Sequence, residues 1–290
     1  MQVKEILNSG KVTLSFEVFP PKTSDAFEAV DAAVNQIAAL RPDFMSVTYG
    51  AGGGTSAYTV RIAKDIKEKY GVTSLAHLSC VSSTREQVRG MLDQMKENGI
   101  ENVLALRGDI PKDATFPLAN QYHYASELIE EIRNYAPNLC IGAACYPEGH
   151  PESANKAEDI QHLKEKVDAG VDFITTQMFF DNAILHNYLY RIREAGVNVP
   201  VCAGIMPVTA ASQMKRIFQL SGTYLPARFK SILDRFGGNP AAMKQAGIAY
   251  ATEQIIDLIA NGVDHIHVYT MNKPEIAAQI QANLSEIINL

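Results

Sequence analysis

The chain has 290 residues, with 26 Lys+Arg against 32 Asp+Glu and a formal net charge of −6. A hydrophobic share of 47% with 20% charged residues is ordinary globular composition and excludes a disordered or fibrous chain. The acidic balance argues against a protein built to grip nucleic acid or an anionic membrane, so any bound anion is held by a few placed groups.

The N-terminal MQVKEILNSGKV mixes charged with apolar residues and lacks the apolar core of a signal peptide. The longest uncharged run, Gly196 to Met214, is broken by Pro200 and Pro207, so no membrane-spanning helix is expected. Cys80, Cys140, Cys145 and Cys202 show no CxxC or Cys/His ligand spacing. They read as free buried thiols of a cytoplasmic protein with no structural metal. Cys140 and Cys145 lie on one apparent strand at an odd offset, which points them to opposite faces.

In chain order, strand-like β-branched runs begin near Val12, Pro42, Thr73, Asn102, Leu139, Asp172, Val199 and Asp264. The intervals are 30, 31, 29, 37, 33, 27 and finally 65 residues, and amphipathic segments fill them. A strand, a helix and two short loops need about 30 residues, the period of a βα unit. Eight such strands predict an α/β fold, a single (β/α)8 barrel spanning 1–290. The last interval has room for that unit's helix plus an extra helix before the last strand. An open doubly wound sheet is the competing architecture. Its glycine fingerprint is missing, because the first strand ends in Phe19-Pro20-Pro21. Between the third and fourth strands, Thr84 with Gln87 forms a capping box and Gly99 ends the helix. Val88, Met91, Leu92 and Met95 make its apolar stripe. A last helix starts at about Pro274.

Barrel enzymes carry their chemistry at the C-terminal strand ends. Those ends hold Glu17, Thr48 with Tyr49, His77, Arg107 with Asp109, Tyr146, Gln177 and Tyr269, with Gln213 following the seventh strand. The strand interiors are largely apolar, which favours one shared site at this rim. Glu17 is flanked by Phe16, Val18 and Phe19. Burial disfavours the charged carboxylate, which suits a general acid; a structural carboxylate paired with a base is the other reading. The glycine-rich TYGAGGGTS at 48–56 is neither a Walker loop nor GxGxxG, and reads as a close backbone approach. ALRGD at 105–109 is either an internal ion pair or an anion grip beside a polar-ring acceptor. His265 and His267 alternate on one face of the last strand and read as packing or layer residues.

SFEVFPP, SVTYGAGG, AHLSC, LALRGD, YPEGHPE, TTQMFF, GIMPV and HVYTMNK occur in that order along successive strands. Together, over roughly Val12 to Lys273, they resemble the 5,10-methylenetetrahydrofolate reductase family. The resemblance implies a flavoenzyme that binds FAD at the rim, is reduced by NADH or NADPH, and passes hydride to methylenetetrahydrofolate. By the same resemblance Glu17 matches the general acid and Asp109 the carboxylate beside flavin and pterin. Gln177 matches an amide meeting nicotinamide and pterin, Gln213 a folate contact, and Thr48 a nicotinamide contact. Tyr49, Ala51, His77, Arg107, Gly108, Tyr124, Ala125, Tyr146, His150, Ser153, Asp159, His162 and Lys166 fall at flavin positions. The charges of Arg107, His150 and Lys166 would offset the pyrophosphate.

Three positions depart from the pattern. Glu165 stands where relatives carry Arg, and is not assigned to the site. His162 replaces an Asn. Lys273 replaces the Arg that pairs with the glutamate tail of folate, and lysine lacks the bidentate fork. The larger eukaryotic members add a C-terminal regulatory domain, for which this chain ends too soon. The expected assembly is a homo-oligomer with a folate substrate and no nucleic acid or membrane partner; an electron-transfer partner protein is left open. Two other readings stand beside this one: a flavin-independent pterin-binding barrel methyltransferase, and a non-catalytic folate- or flavin-binding barrel.

Overall fold

The computed structural model describes every residue except 22, 50–55, 82, 111–115 and 290. A short helix α1 (Val3–Leu7) precedes the first strand. The strands are β1 (Thr13–Val18), β2 (Phe44–Val47), β3 (Thr73–Ser79) and β4 (Asn102–Leu106), then β5 (Cys140–Cys145), β6 (Phe173–Thr176), β7 (Val201–Ile205) and β8 (His265–Tyr269). They pair in sequence order, all parallel, and β8 closes on β1 to complete the barrel. Every strand begins within two residues of its expected start.

Between strands run α2 (Phe27–Ala38), α3 (Ser56–Tyr70), α4 (Arg85–Glu97), α5 (Ala125–Tyr135), α6 (Lys156–Asp168) and α7 (Asn182–Glu194). After β7 come α8 (Ala211–Ser221), α9 (Ala227–Phe236) and α10 (Pro240–Ala260); α11 (Pro274–Asn283) follows β8. The long β7–β8 interval therefore holds three helices, one more than its length suggested. In α4 the reciprocal Thr84/Gln87 capping box forms, Gly99 takes a left-handed φ of 65° just past the end, and the four stripe residues are buried.

Alternation along each strand sorts side chains between two cores. Leu14, Phe16, Met45, Val103, Ile141, Cys145 and Ile266 face outward into the layer between barrel and helices. Phe44, Leu75, Leu104, Cys140, Phe173 and Cys202 form a separate interior cluster, which Val3 and Leu7 of α1 join. So α1 is a plug for the N-terminal end of the barrel. The four cysteines are buried and free, with Cys140 and Cys145 in different clusters as their odd spacing requires. Gly142 is obligatory in the interior: a Cβ there would meet the Phe173 ring at 2.5 Å and Leu104 at 2.9 Å.

Candidate active site

Above the apolar plug the inward positions turn polar. Register places Ser15 beside His267, and Glu17 beside both Ser46 and Tyr269. Glu17 is 8% exposed, and its Oε2 lies 3.4 Å from Ser46 Oγ, 3.6 Å from His77 Nε2 and 3.8 Å from His267 Nε2. Burial pulls the His77 pKa down to about 4, against the opposing pull of Glu17, so the ring is neutral at pH 7. Among the described residues His77 Nε2 has no hydrogen-bond partner. Tyr269 donates its hydroxyl to Thr176 O at 2.6 Å, which ties β8 to the end of β6.

A cleft of three adjoining cavities lies over this layer at the C-terminal rim. Its three lobes share Arg107, Tyr146 and His150. The first, about 410 Å³, is lined by Glu17, Thr48, Tyr49, His77, Gly108 and Gln177, among others. The second, about 460 Å³, lies along the start of α5 and the length of α6 and takes in Tyr124, Ala125, Ser153, Asp159, His162 and Lys166. The third, about 280 Å³, adds Glu148 and Met178 to Asp109 and Gln177.

The local chemistry of the shared wall is specific. Arg107 forks both terminal nitrogens onto Glu152 at 2.6 Å each, so its carboxylate partner is Glu152, while Asp109 is exposed on the cleft. Tyr146 and His150 pack edge to face with ring centres 4.7 Å apart. Desolvation pushes the Tyr146 phenol up to about 12 and pulls His150 below the ordinary imidazole value. Lys166 donates to Ala144 O at 2.6 Å, and desolvation lowers its pKa. Ser153 donates to Asp159 at 3.3 Å. Gln177 accepts from the Met178 N–H at 3.0 Å through its side-chain oxygen.

Most of the expected residues therefore meet in one cleft. Ala51 and the rest of the glycine-rich loop at 50–55 lie outside the described residues. Gln213 and Lys273 do not line the three lobes; Thr209 joins them instead. Gln213 Oε1 accepts from the Thr209 and Ala210 N–H groups at 2.8 and 2.9 Å, capping α8, and Lys273 Nζ donates to Thr209 Oγ1 at 3.1 Å. Glu165, set aside on sequence grounds, lines the same lobe as Lys166. Sequence reading missed Ser46, Glu152 and the polar role of His267. For Ser46 the usable signal was parity: it shares the inward phase of Phe44, on a strand that pairs with β1.

A closed parallel barrel, wrapped in helices and cut at its C-terminal rim by a polar cleft over a buried carboxyl group, has the build of a (β/α)8-barrel enzyme. The family model "Methylenetetrahydrofolate reductase" matches residues 2–285, and the chain belongs to that family. It is 34% identical over 271 residues to the 5,10-methylenetetrahydrofolate reductase of Escherichia coli (strain K12), covering 93% of this chain and 90% of that protein. It is also 34% identical over 298 residues to methylenetetrahydrofolate reductase (NADH) 1 of Arabidopsis thaliana, covering 99% of this chain and 50% of that protein. The chain thus spans about half the length of its plant relatives. Among solved structures, a Clostridium thermocellum protein described as binding two copies of 5-methyl-5,6,7,8-tetrahydrofolic acid superposes with a TM-score of 0.64 at 15% identity. That match covers 100% of this chain and 99% of that one. A 2,3-dimethylmalate lyase superposes with a TM-score of 0.54 at 10% identity, covering 99% and 84%. These two share the barrel fold.

Proposed function

We propose that the protein reduces 5,10-methylenetetrahydrofolate to 5-methyltetrahydrofolate with electrons from NADH or NADPH, using FAD, and that residues 1–290 act as one catalytic domain. The observation that carries this reading is Glu17, a buried carboxyl group at the floor of the rim cleft in a chain of this family. The Clostridium thermocellum barrel supports it, since the ligand named for that protein is the product of the proposed reaction.

The residues present fit a dinucleotide. The three lobes adjoin through shared walls, and Arg107, His150 and Lys166 bring cations or hydrogen-bond donors to the shared wall and second lobe. Tyr124, 61% exposed, offers an aromatic face in that lobe. When bound, FAD supplies a two-electron carrier between nicotinamide and folate. Arg107, His150, Ser153, Asp159, His162 and Lys166 would hold it, with Tyr49, His77 and Tyr146 toward the barrel axis. Asp109 and Gln177 orient the pterin edge, and Gln213 with Lys273 serve the folate further out. Glu17 gives a proton to the folate amine as the five-membered ring opens, because that amine is a poor leaving group until protonated. We place the enzyme in the cytoplasm as a homo-oligomer; among the described residues no helix is long and apolar enough to cross a membrane.

The test is direct. Purified protein should be yellow, and added FAD should raise the melting temperature of the apo-protein. Under anaerobic conditions NADH or NADPH should bleach the flavin, and methylenetetrahydrofolate should restore its colour. A colourless protein that binds folate, with no thermal shift at saturating FAD, would refute this reading in favour of a flavin-independent methyltransferase.

A further inference from the structure

We propose that Ser46 is a positioning residue for Glu17, its hydroxyl hydrogen passing from His267 to the Glu17 carboxylate as the acid gives up its proton. The proposal rests on Glu17 being the acid of the folate step.

The first observation is a one-sided carboxyl. Ser46, His77 and His267 all approach Glu17 through Oε2, at 3.4, 3.6 and 3.8 Å. Oε2 therefore faces the polar layer, and Oε1 is the oxygen left for the cleft that Glu17 lines.

The second is a hydrogen-bond chain anchored on a backbone carbonyl. Ser15 Oγ lies 3.0 Å from Ile266 O, and a carbonyl can only accept, so Ser15 donates there. The same Oγ lies 2.7 Å from His267 Nδ1; with the Ser15 hydrogen on the carbonyl it accepts there, and we assign the imidazole hydrogen to Nδ1. With the ring hydrogen on Nδ1, Nε2 is the acceptor. Ser46 Oγ lies 3.1 Å from it, closer than the 3.4 Å to Glu17 Oε2. Ser46 Oγ can give its one hydrogen to either Glu17 Oε2 or His267 Nε2, and we assign it to the nearer Nε2 while Glu17 is protonated.

The third is rigidity. His267 is 3% exposed, stacks on Phe44 with ring centres 5.8 Å apart and 9° between planes, and meets the edge of Tyr269 at 5.6 Å. Ser46 is fully buried. The heavy atoms stay in place while the hydroxyl turns about its own C–O bond.

The step balances simply. The Glu17 Oε1–H bond breaks, an N–H bond forms on the departing folate amine, and the O–H electron pair stays on the carboxylate. Charge then spreads to Oε2, and Ser46 swings its hydrogen onto it. The 3.4 Å contact becomes a full charge-assisted bond only once charge develops, so it favours the transition state over the ground state. Of the other groups around this carboxyl, His77 on β3 is neutral, Tyr269 on β8 donates to Thr176 O, and Arg107 and Asp109 sit on the wall of the same lobe. None of these named groups offers Oε2 a hydrogen bond.

The experiment measures each half-reaction by rapid-mixing flavin absorbance in wild type, Glu17→Gln, Ser46→Ala, Ser46→Thr and the double variant Glu17→Gln/Ser46→Ala. Ser46→Ala should slow the folate half by about ten- to a hundredfold, as for one lost hydrogen bond to a charged group, with folate Kd and the nicotinamide half nearly unchanged. Ser46→Thr should recover most of that loss, and the double variant should be no slower than Glu17→Gln alone. In parallel, nitrogen-15 NMR of histidine-labelled apo-protein should find the His267 hydrogen on Nδ1. A folate half within twofold of wild type in Ser46→Ala, a further loss in the double variant, or the hydrogen on Nε2 would each overturn the proposal. If Glu17→Gln itself keeps a normal folate half-reaction, the acid assignment fails and this proposal with it. A slow Glu17→Gln beside a normal Ser46→Ala overturns the positioning role alone.

Discussion

The two ends of this barrel are built from the same strands and solve opposite problems. At the N-terminal end Val3 and Leu7 meet Phe44, Leu75, Leu104, Cys140, Phe173 and Cys202 in a dry apolar cluster. Toward the C-terminal rim the inward positions become Ser15, Glu17, Ser46, His77 and His267, all buried. On β2 the change takes one inward step, from Phe44 to Ser46. Burying polar groups is unfavourable unless they find partners, and here they find them mainly in one another. The lower end supplies apolar burial that holds the strands in register. The upper end uses that register to converge five polar side chains from β1, β2, β3 and β8 beneath a cleft.

If the division is real, a change at one end should leave the other end's property alone. The largest effect is expected from Glu17→Gln, which keeps the shape of the side chain and removes its acid proton. The folate half-reaction should fall by about 10²–10⁴-fold, while flavin reduction by nicotinamide and the melting temperature stay close to wild type. A folate half within a few-fold of wild type would break the comparison at its upper end.

Leu7→Ala tests the plug. Removing this buried side chain, 4% exposed, should lower unfolding free energy by about 2–5 kcal/mol in urea titration, with half-reaction rates on the folded enzyme unaffected. Stability within 1 kcal/mol of wild type would mean α1 is an ornament on the barrel, with roughly no closing role.

His77 links stability to the polar end. Its pKa is about 4 in the fold against the ordinary imidazole 6.5 of the unfolded chain, because burial disfavours the imidazolium. Its contribution is therefore complete above pH 6.5 and is lost as pH falls toward 4, by up to about 3 kcal/mol. His77→Gln should flatten that acid limb when apo-protein unfolding is followed against pH. An unchanged slope between wild type and variant would show that His77 is not the group being titrated.

Lys273→Ala gives the smallest expected change. Losing one ionic contact should weaken folate binding by about 1–3 kcal/mol and spare flavin reduction. Equal folate affinity in titrations of the two proteins would remove Lys273 from the site and leave it as the partner of Thr209 alone.

Much of this was legible along the chain, because local causes act locally. Barrel strands are buried on both faces and read as short β-branched runs about 30 residues apart, so all eight starts could be placed. The Thr84/Gln87 box and the Val88–Met95 stripe depend only on neighbours within a turn or two of helix. The C-terminal strand ends named most of the cleft in advance. Less visible was α1, whose five residues are too few to show a period and whose place is set by the hole it fills. The three helices of the β7–β8 interval were also blurred, since length alone does not divide a segment.

What only the tertiary structure decided is partnership. Arg107 could have met Asp109 two residues away, and instead forks to Glu152 across the β5–α6 loop. Gln213 and Lys273 gather on Thr209, outside the three lobes of the cleft. His267 looked like a packing residue until barrel closure set β8 against β1 and brought its ring to Ser15, Ser46 and Glu17. The sequence by itself determined which residues face inward and at which end of each strand, because alternation and burial are short-range properties. Which of them touch was decided by closing eight strands into a ring, because the register between β1 and β8 exists only when residues some 250 positions apart pair.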